Sequence, residues 1–193
     1  MGKFNICKDL LIIDVESTGI AQNASICQLG VVIFNKSGKL CNTSFNQYIL
    51  PYTSNWEEEA SKIHNITRPF LAQNGKPLKD AIEAFEDWAS KNRTLDLEKT
   101  YWIAQWSGSG FDTNMLQNAY AILNRKYPFH YRTIDISSIV RFELANRGKL
   151  NIKCGEKECA EALNIEVEEN KLHDGLYDAQ LSGQMLEKLV REA

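Results

Sequence analysis

A short apolar run near the start of the chain leads directly into two acidic residues. Leu10–Val15 is compact and rich in branched side chains, and a turn-like Ser-Thr-Gly begins at Ser17. The pattern predicts a buried strand. Alternate side chains of a strand point to the same face, so Asp14 and Glu16 project together. Two carboxylates held there repel each other and resist desolvation, and a divalent cation between them would stabilise the arrangement. The pair alone also fits a strand that ends in water.

The rest of the chain alternates between strand and helix patterns. Two further strands are predicted at Ile26–Phe34 and Ser44–Leu50, and three strands in succession indicate an antiparallel meander. Later strands are predicted at Tyr101–Trp106 and Thr133–Ile136. Helices are predicted at Trp56–His64, from Leu78 to Ala89, at Phe111–Leu123, Ser137–Ala145 and Glu156–Leu163, and from Leu176 to Val190. This order predicts an α/β fold with a mixed sheet, in one domain that spans residues 1–193.

The charge balance and the cysteines exclude several classes of protein. Lys and Arg number 22 against 25 Asp and Glu, so no strongly basic surface indicates nucleic acid. Carboxylates around metal ions count as negative here, however, and are neutralised when the ions bind. Five cysteines without a Cys-x-x-Cys pair argue against a disulfide framework or a zinc ribbon and predict reduced thiols. No stretch approaches the ~20 apolar residues of a membrane span. We expect a soluble, cytoplasmic protein with no membrane partner.

A second candidate site residue precedes the helix predicted at Phe111–Leu123. The segment from Trp106 to Asp112 reads Trp-Ser-Gly-Ser-Gly-Phe-Asp, which places Asp112 near a helix N-terminus at the carboxyl edge of the sheet. Glycines let the backbone pass close to a ligand, and free N–H groups at a helix start suit anionic oxygens. An aspartate in a first helical turn is also favoured by the helix dipole without any ligand.

A third candidate is the pair His173 and Asp178. If Asp174 caps the closing helix, Asp178 lies in the second turn of that helix and His173 lies on the loop before it. An imidazole titrates near neutral pH, so His173 can take a proton from a metal-bound water. In isolation the pair also fits a histidine and an aspartate on the protein surface.

Together these signals resemble the DEDDh group of 3′→5′ exonucleases, which includes proofreading exonucleases, ribonuclease T and oligoribonuclease. The matching stretches are Ile12–Gly19, Gly110–Asp112 and His173–Ala179, and Ile63–Thr67 is similar to the family's Ile-His-Gly-Ile-Thr segment. Before Asp112, many relatives carry His-Asn-Ala-x-Phe-Asp, whereas the Trp-x-Gly version here is similar to that of the branch acting on histone mRNA and small RNAs. The resemblance implies a ribonuclease H-like fold, in which helices flank a mixed five-stranded sheet of order 3-2-1-4-5.

The resemblance also implies roles for five residues. Asp14, Glu16, Asp112 and Asp178 are implied to hold two Mg²⁺ or Mn²⁺ ions, which prefer oxygen ligands. By this likeness Asp14 bridges both ions, Glu16 and Asp178 bind the first, and the second receives no further carboxylate. Asp112 reaches the site directly or through water, and His173 is the general base. Without the four carboxylates the net charge changes from −3 to +1, so the ion-loaded protein does not repel an anionic substrate.

Five further residues are candidates for contact with nucleic acid. At the turn after the first strand, Ser17 and Thr18 can meet a terminal 3′-hydroxyl group. Ile63, His64 and Phe111 can wedge and stack the terminal bases, which is a sequence-tolerant way to bind a single strand. His64 also fits a hydrogen-bonded polar residue at a helix end.

The sequence therefore predicts a metal-dependent 3′→5′ exonuclease that acts as a monomer or homodimer. It would release mononucleotides from the 3′ end of single-stranded DNA or RNA by two-metal-ion hydrolysis. Two other interpretations stay open, namely a catalytically silent nucleic-acid-binding module and an endonuclease on the same fold. The choice between DNA and RNA depends on contacts with the 2′-hydroxyl, which the sequence does not locate.

Overall fold

A five-stranded mixed sheet lies at the centre of the protein, in a computed structural model that describes residues 9–92, 102–106, 109–150 and 153–192. The strands are β1 Leu10–Ser17, β2 Ile26–Phe34, β3 Leu40–Tyr48, β4 Trp102–Gln105 and β5 Thr133–Asp135. Their order in the sheet is β3-β2-β1-β4-β5. The β1–β2 and β2–β3 pairs are antiparallel, whereas β4 runs parallel to both β1 and β5. This arrangement confirms the predicted α/β class, the meander and the strand order.

Helices flank the sheet at or near the positions that the sequence predicts. They are α1 Glu58–His64, α2 Arg68–Asn74, α3 Leu78–Lys91, α4 Phe111–Ile122, α5 Ile136–Asn146, α6 Glu156–Ala162 and α7 Gly175–Glu192, with a short 3-10 helix at Glu169–Lys171. Helix α2 is not predicted by the sequence. Its start carries clear signals, because Thr67 Oγ1 accepts a hydrogen bond from the Phe70 N–H at 3.3 Å and Pro69 follows in the first turn. A helix of 7 residues, however, is too short to show an apolar period.

The edge strand β3 differs from the predicted Ser44–Leu50. It begins at Leu40 because the chain pairs with β2 directly after the hairpin. Leu50 leaves the strand, since its N–H donates to the carbonyl of Lys76 at 2.9 Å. Tyr101, the first residue of the strand predicted at 101–106, lies outside the described residues.

Both faces of β1 are buried, each by a different set of helices. Leu11, Ile13 and Val15 belong to a core that includes residues of α3 and α4. Leu10 and Ile12 belong to a second core, built with α5, α6 and α7. Burial on both sides accounts for the unbroken apolar run in the sequence. The side chains at even positions of β1 therefore face α7.

Two further expectations concern the membrane and the thiols. Within the described ranges, no helix combines the length and the apolar character that crossing a membrane requires. Cys27, Cys41 and Cys159 form no disulfide within the described ranges, and Cys7 lies outside them.

Candidate active site

The end of β1 presents the first two carboxylates. Asp14 and Glu16 are half-buried and lie opposite Gly30 and Gln28 of β2. Val15, between them, points the other way and is buried in the core beneath α3 and α4. The alternation expected of a strand therefore places both acids on the face covered by α7.

Asp112 joins this pair from the start of α4. The residue before the helix, Gly110, has φ +71°, a left-handed conformation that glycine adopts without strain. Asp112 is buried, and its Oδ1 accepts a hydrogen bond from the backbone N–H of Val15 at 3.2 Å. The third carboxylate is therefore fixed to the backbone between the first two. Ser107 and Gly108, earlier in the glycine-rich segment, lie outside the described residues.

The start of α7 supplies the remaining carboxylate and the imidazole. Asp174 caps the helix, because its Oδ1 accepts from the N–H groups of Leu176 at 3.1 Å and Tyr177 at 3.0 Å. The preceding residue, His173, is exposed and has φ +64°. Its backbone N–H donates to Asp178 Oδ2 at 3.0 Å.

His173 and Asp178 approach Glu16 closely. One possible ligand atom from each of the three residues lies within 4.8 Å of the other two. Asp14 shares a face of β1 with Glu16, and Asp112 is hydrogen-bonded to the residue between them, so all five residues with a predicted catalytic or metal-binding role lie around the end of β1.

Burial raises the pKa values of all four carboxyl groups, and repulsion from the other acids of the site raises those of Asp14 and Glu16 further. The pKa of Asp14 lies well above its ordinary value, first because of burial and then because of the charges of Asp112, Glu16 and Asp178. Burial, followed by the charges of Asp178 and Asp112, raises the pKa of Glu16 to about 9. Burial is also the main reason that the pKa of Asp178 rises to about 7 and that of Asp112 to about 6. Near neutral pH, the four groups therefore do not all ionise without a compensating charge.

Divalent cations would supply that compensation. Asp178 is only 8% exposed, and its Oδ1 is buried without a hydrogen-bond partner in the described part of the chain. A buried carboxylate oxygen without a partner is costly unless something binds it. Carboxylate oxygens are also the ligands that Mg²⁺ and Mn²⁺ prefer. The residues present therefore fit the expected pair of divalent cations.

Gln28 holds the loop of His173 in place and was missed by the sequence analysis. It is fully buried, and its Nε2 donates to Asp174 Oδ2 and to Asn46 Oδ1, both at 3.1 Å. Its Oε1 accepts from the N–H of Gly175 at 3.2 Å. Gln28 thus ties β2 and β3 to the cap of α7. Gln28 could have been recognised in the sequence because it is a polar residue within an otherwise apolar strand.

Three of the predicted nucleic-acid contacts lie inside the protein instead. The Ser17 hydroxyl donates to the carbonyl of Gly19 at 2.8 Å, and Thr18, only 1% exposed, accepts from the N–H of Ser25 at 2.9 Å. His64 is buried as well, with Nε2 at 3.1 Å from the carbonyl oxygen of Ser17.

These contacts place the side chains of Thr18 and His64 inside the protein, and contact of this turn with nucleic acid stays a prediction. The Nδ1 of His64 accepts from the N–H of Ile66 at 3.0 Å, so Nε2 carries the proton and donates to Ser17. The side chains of Thr18 and His64 stabilise the turn after β1 and do not form its outer surface. His64 is thus a hydrogen-bonded residue at the end of α1.

A groove beside the site contains one predicted contact and one residue that the sequence analysis missed. It has a volume of about 440 Å³ and is lined by Ile20, Ala21, Gln22, Phe111, Asn114, Met115, Gln117 and Asn118. Phe111 was predicted to contact bases, whereas Ile20, which is 84% exposed, was not considered. In the sequence, Ile20 could have been recognised as a candidate because it is an apolar residue directly after the turn glycine Gly19. Ile63, another predicted contact, is 55% exposed on α1.

Comparison with known proteins identifies relatives of the whole fold. The family model RNase T, described as exonuclease, matches residues 11–186. No curated protein matches the sequence.

Several solved structures share the fold at low sequence identity. Cell-death related nuclease 4 (CRN-4) is 17% identical with a TM-score of 0.80, over 96% of this chain and 64% of that protein. The nuclease domain of 3′hExo, a DEDDh family member bound to rAMP, is 19% identical with a TM-score of 0.75, over 96% of this chain and 93% of that one. E. coli exonuclease I in complex with a dT13 oligonucleotide is 18% identical with a TM-score of 0.71, over 95% of this chain and 41% of that protein. The chain therefore spans less than two thirds of the first and third of these proteins.

Proposed function

The chain belongs to the RNase T family of exonucleases, and we propose that it is a metal-dependent 3′→5′ exonuclease that releases mononucleotides from single-stranded DNA or RNA. The convergence of Asp14, Glu16, Asp112, His173 and Asp178 from β1, α4 and the start of α7 carries this proposal. Two divalent cations, Mg²⁺ or Mn²⁺, would supply the positive charge that activates a water and stabilises the departing 3′-oxygen.

The chain's own contribution begins with rigid placement of the carboxylates. Asp14 and Glu16 belong to the central strand of the sheet, and Asp112 is bound to the backbone of the same strand. Asp178 lies in the first turn of α7. Ligands on strands and helices hold their geometry better than ligands on loops, which favours an in-line arrangement of water, phosphorus and leaving oxygen.

His173 would accept the proton of the attacking water at an imidazole nitrogen. Its ring is near enough to Glu16 and Asp178 to reach a water at the cations. Because the side chain is exposed, the proton can pass on to solvent. The hydrogen bond from the backbone N–H of His173 to Asp178 fixes the position of the base relative to a metal ligand.

The groove between Ile20 and Phe111 fits the terminal base. Apolar surfaces from these two residues can contact the faces of a base, and the amides of Asn114, Gln117 and Asn118 can bond to its polar edge. A base inserted there cannot remain paired, which supports a single-stranded 3′ end as the substrate. The groove also adjoins Asp112, so binding and cleavage would occur side by side.

The test is digestion of oligonucleotides labelled at the 5′ end. Matched single-stranded DNA and RNA are incubated with the full chain in Mg²⁺, in Mn²⁺ or in EDTA. We expect ladders that shorten from the 3′ end, release of mononucleotides, and no reaction in EDTA. Light scattering on the same preparation distinguishes a monomer from a homodimer.

Two variants and one substrate exclude the alternatives. Asp14→Asn should abolish the reaction, whereas Asp80→Asn, which changes an exposed acid on α3, should leave it intact. A circular single strand should resist digestion. Cleavage of the circle would indicate an endonuclease, and no reaction on any strand with either ion would indicate a silent binding module.

A further inference from the structure

A fifth carboxylate lies beside the four that the sequence identifies. Glu156 is the first residue of α6, and its Oε1 accepts a hydrogen bond from the Ser182 hydroxyl at 2.7 Å. Ser182 is only 1% exposed and follows Asp178 by one turn of α7. Residues four apart lie on the same face of a helix, so Ser182 holds Glu156 on the face of α7 that carries Asp178.

Glu156 interacts electrostatically with the acids of the site. Burial, and then the charges of Asp178 and Asp112, raise the pKa of Glu156 to about 8, against the hydrogen bond from Ser182. The charge of Glu156 in turn contributes to the raised pKa of Asp14. For Glu16, beside His173, the contributing acids are Asp178, Asp112 and Asp174 instead. Glu156 therefore lies close enough to Asp178, Asp112 and Asp14 for their charges to interact.

Within the described part of the chain, no basic side chain forms an ion pair with this group of acids. None of the ion pairs formed by the described residues includes Asp14, Glu16, Asp112, Glu156 or Asp178. An independent observation also points to a ligand, because the buried Oδ1 of Asp178 has no hydrogen-bond partner in the described ranges. Buried carboxylates without basic partners are stable when they bind cations.

We propose that Glu156 is a fifth carboxylate of the cation site and binds the water shell of the second cation, on the side of Asp14 and Asp112. This inference rests on the proposed function. The resemblance to the DEDDh group gives that second cation the carboxylate of Asp14 and no further one. Mg²⁺ retains several of its waters in proteins, and acids that bind those waters raise the affinity of a site.

A structural role is the competing explanation. The bond between Glu156 and Ser182 joins α6 to α7, and it would serve that purpose with no cation present. The two explanations differ in one respect. A structural link changes stability in the absence of metal, whereas a bond to the water shell of a cation changes the affinity for metal.

Binding of Mn²⁺ to the full chain, without substrate, separates them. Isothermal titration and the electron paramagnetic resonance signal of free Mn²⁺ give the number of bound ions and their affinities. We expect two ions on the wild type, and a second-ion affinity about 10- to 100-fold weaker in Glu156→Gln, the usual cost of losing an outer-shell partner. The amide oxygen of this variant still accepts from Ser182. Glu158→Gln, two residues away on α6, is the matched control and should bind both ions normally.

The outcomes distinguish this inference from the proposed function. If the wild type binds no Mn²⁺, or Asp14→Asn binds it unchanged, the proposed function fails as well. If Asp14→Asn loses the ions while Glu156→Gln retains both affinities, only the role of Glu156 is refuted. Ser182→Ala, which frees Glu156 without removing it, should also weaken the second ion. This variant decides the question if Glu156→Gln does not fold, and unchanged affinities in it would then refute the role.

Melting curves in EDTA give a second readout. Glu156→Gln removes an acid from a repulsive cluster, so its melting temperature in EDTA should equal or exceed that of the wild type, and its gain on adding Mn²⁺ should be smaller. A lower melting temperature in EDTA together with an unchanged gain would establish the structural link and overturn the proposal.

Discussion

A methyl group on Gly30 would lie 2.2 Å from both the carbonyl carbon and the carbonyl oxygen of Gly175. Strand β2 and the start of α7 therefore touch backbone to backbone. Gly175 also packs on β1, where a methyl group would lie 3.1 Å from the carbonyl oxygen of Asp14. This approach brings Asp178 and the loop of His173 to the end of β1. Two facing glycines thus set the distance between the two halves of the active site.

Gly30→Ala should therefore lower activity more than stability. Overpacking costs about 1–3 kcal/mol, which a folded domain can tolerate. A shift of about 1 Å at a catalytic group can reduce the rate about 10²-fold. We expect a fall in kcat of that order, with a circular dichroism spectrum like that of the wild type.

Leu29→Ala is the control for Gly30→Ala. Leu29 is a fully buried neighbour on β2 that packs into the other core, so its truncation should cost about 2–5 kcal/mol without moving α7. Activity measured well below its melting temperature should be close to normal. Equal losses of activity in the two variants would show that the glycine contact does not set the geometry of the site.

Asp112 has two separable roles, as an acceptor for the Val15 N–H and as a charge. Asp112→Asn retains the acceptor and removes the charge, so the variant should fold normally and lose most of its activity. Asp112→Ala also leaves the N–H of Val15 unpaired, which costs about 1–3 kcal/mol when the group is buried. Thermal melts and Mg²⁺-dependent digestion test the difference. Identical melting temperatures would contradict the structural role of the hydrogen bond.

The sequence predicted the fold well where its patterns were long. The apolar run before Asp14 and the periodic segment from Leu78 to Ala89 each extend over enough residues to define a strand or a helix. Arg68–Asn74 does not, and its helix is stabilised by a cap and by packing of Leu71 against Cys27 and Ile66. Tertiary contacts of this kind leave no period in the sequence.

The site was predictable for residues whose chemistry is unusual in a core, and less so for the others. Asp14 and Asp178 are acids within apolar segments, which is itself a signal. Glu156 follows a glycine at a helix start, where an acid is common without any ligand, so only its contact with Ser182 reveals its place. The burial of Thr18 follows from its hydrogen bond to Ser25, a pairing that depends on how β1 and β2 are joined.

His173→Gly should reduce the rate by about 10²–10⁴, the usual contribution of a general base. Glycine suits the left-handed conformation at this position, φ +64°, so the loop should keep its shape. Added imidazole should then restore part of the activity, because the cavity left by the side chain is exposed to solvent. His130→Ala, which changes a histidine in the loop before β5, is the control and should behave like the wild type. No effect of imidazole, with a rate close to normal, would contradict the assignment of the base.

Gln28→Leu should impair catalysis through the loop of His173. Leucine has a similar size but cannot bond to Asp174, Asn46 or the Gly175 N–H, and these groups would lose a partner at the cap of α7. We expect kcat to fall while KM changes little, since the groove for the terminal base lies elsewhere. Asn46→Ala removes only one of the three bonds and should have a smaller effect. A rise in KM alone would contradict a positioning role.

The raised pKa values of the carboxylates predict an inverse dependence of stability on pH in the absence of metal. The acids titrate near their ordinary values of 3.8 and 4.5 when unfolded, but Asp112, Asp178, Glu156 and Glu16 titrate at about 6, 7, 8 and 9 when folded. A group whose pKa is raised by folding stabilises the protein below its unfolded pKa, and this contribution is lost as pH rises through the folded value. The melting temperature in EDTA should therefore fall between about pH 5 and pH 9, a range that spans the folded values.

Saturating Mg²⁺ should remove most of this fall, because the cations favour the ionised carboxylates that bind them. Glu16→Gln should flatten the EDTA curve at its alkaline end, since Glu16 has the highest of these pKa values. Glu59→Gln, which changes an exposed acid of α1, should leave the curve unchanged. A melting temperature in EDTA that is constant or rises with pH would show that folding does not raise the pKa values of these acids, and would contradict a cation site formed by buried carboxylates.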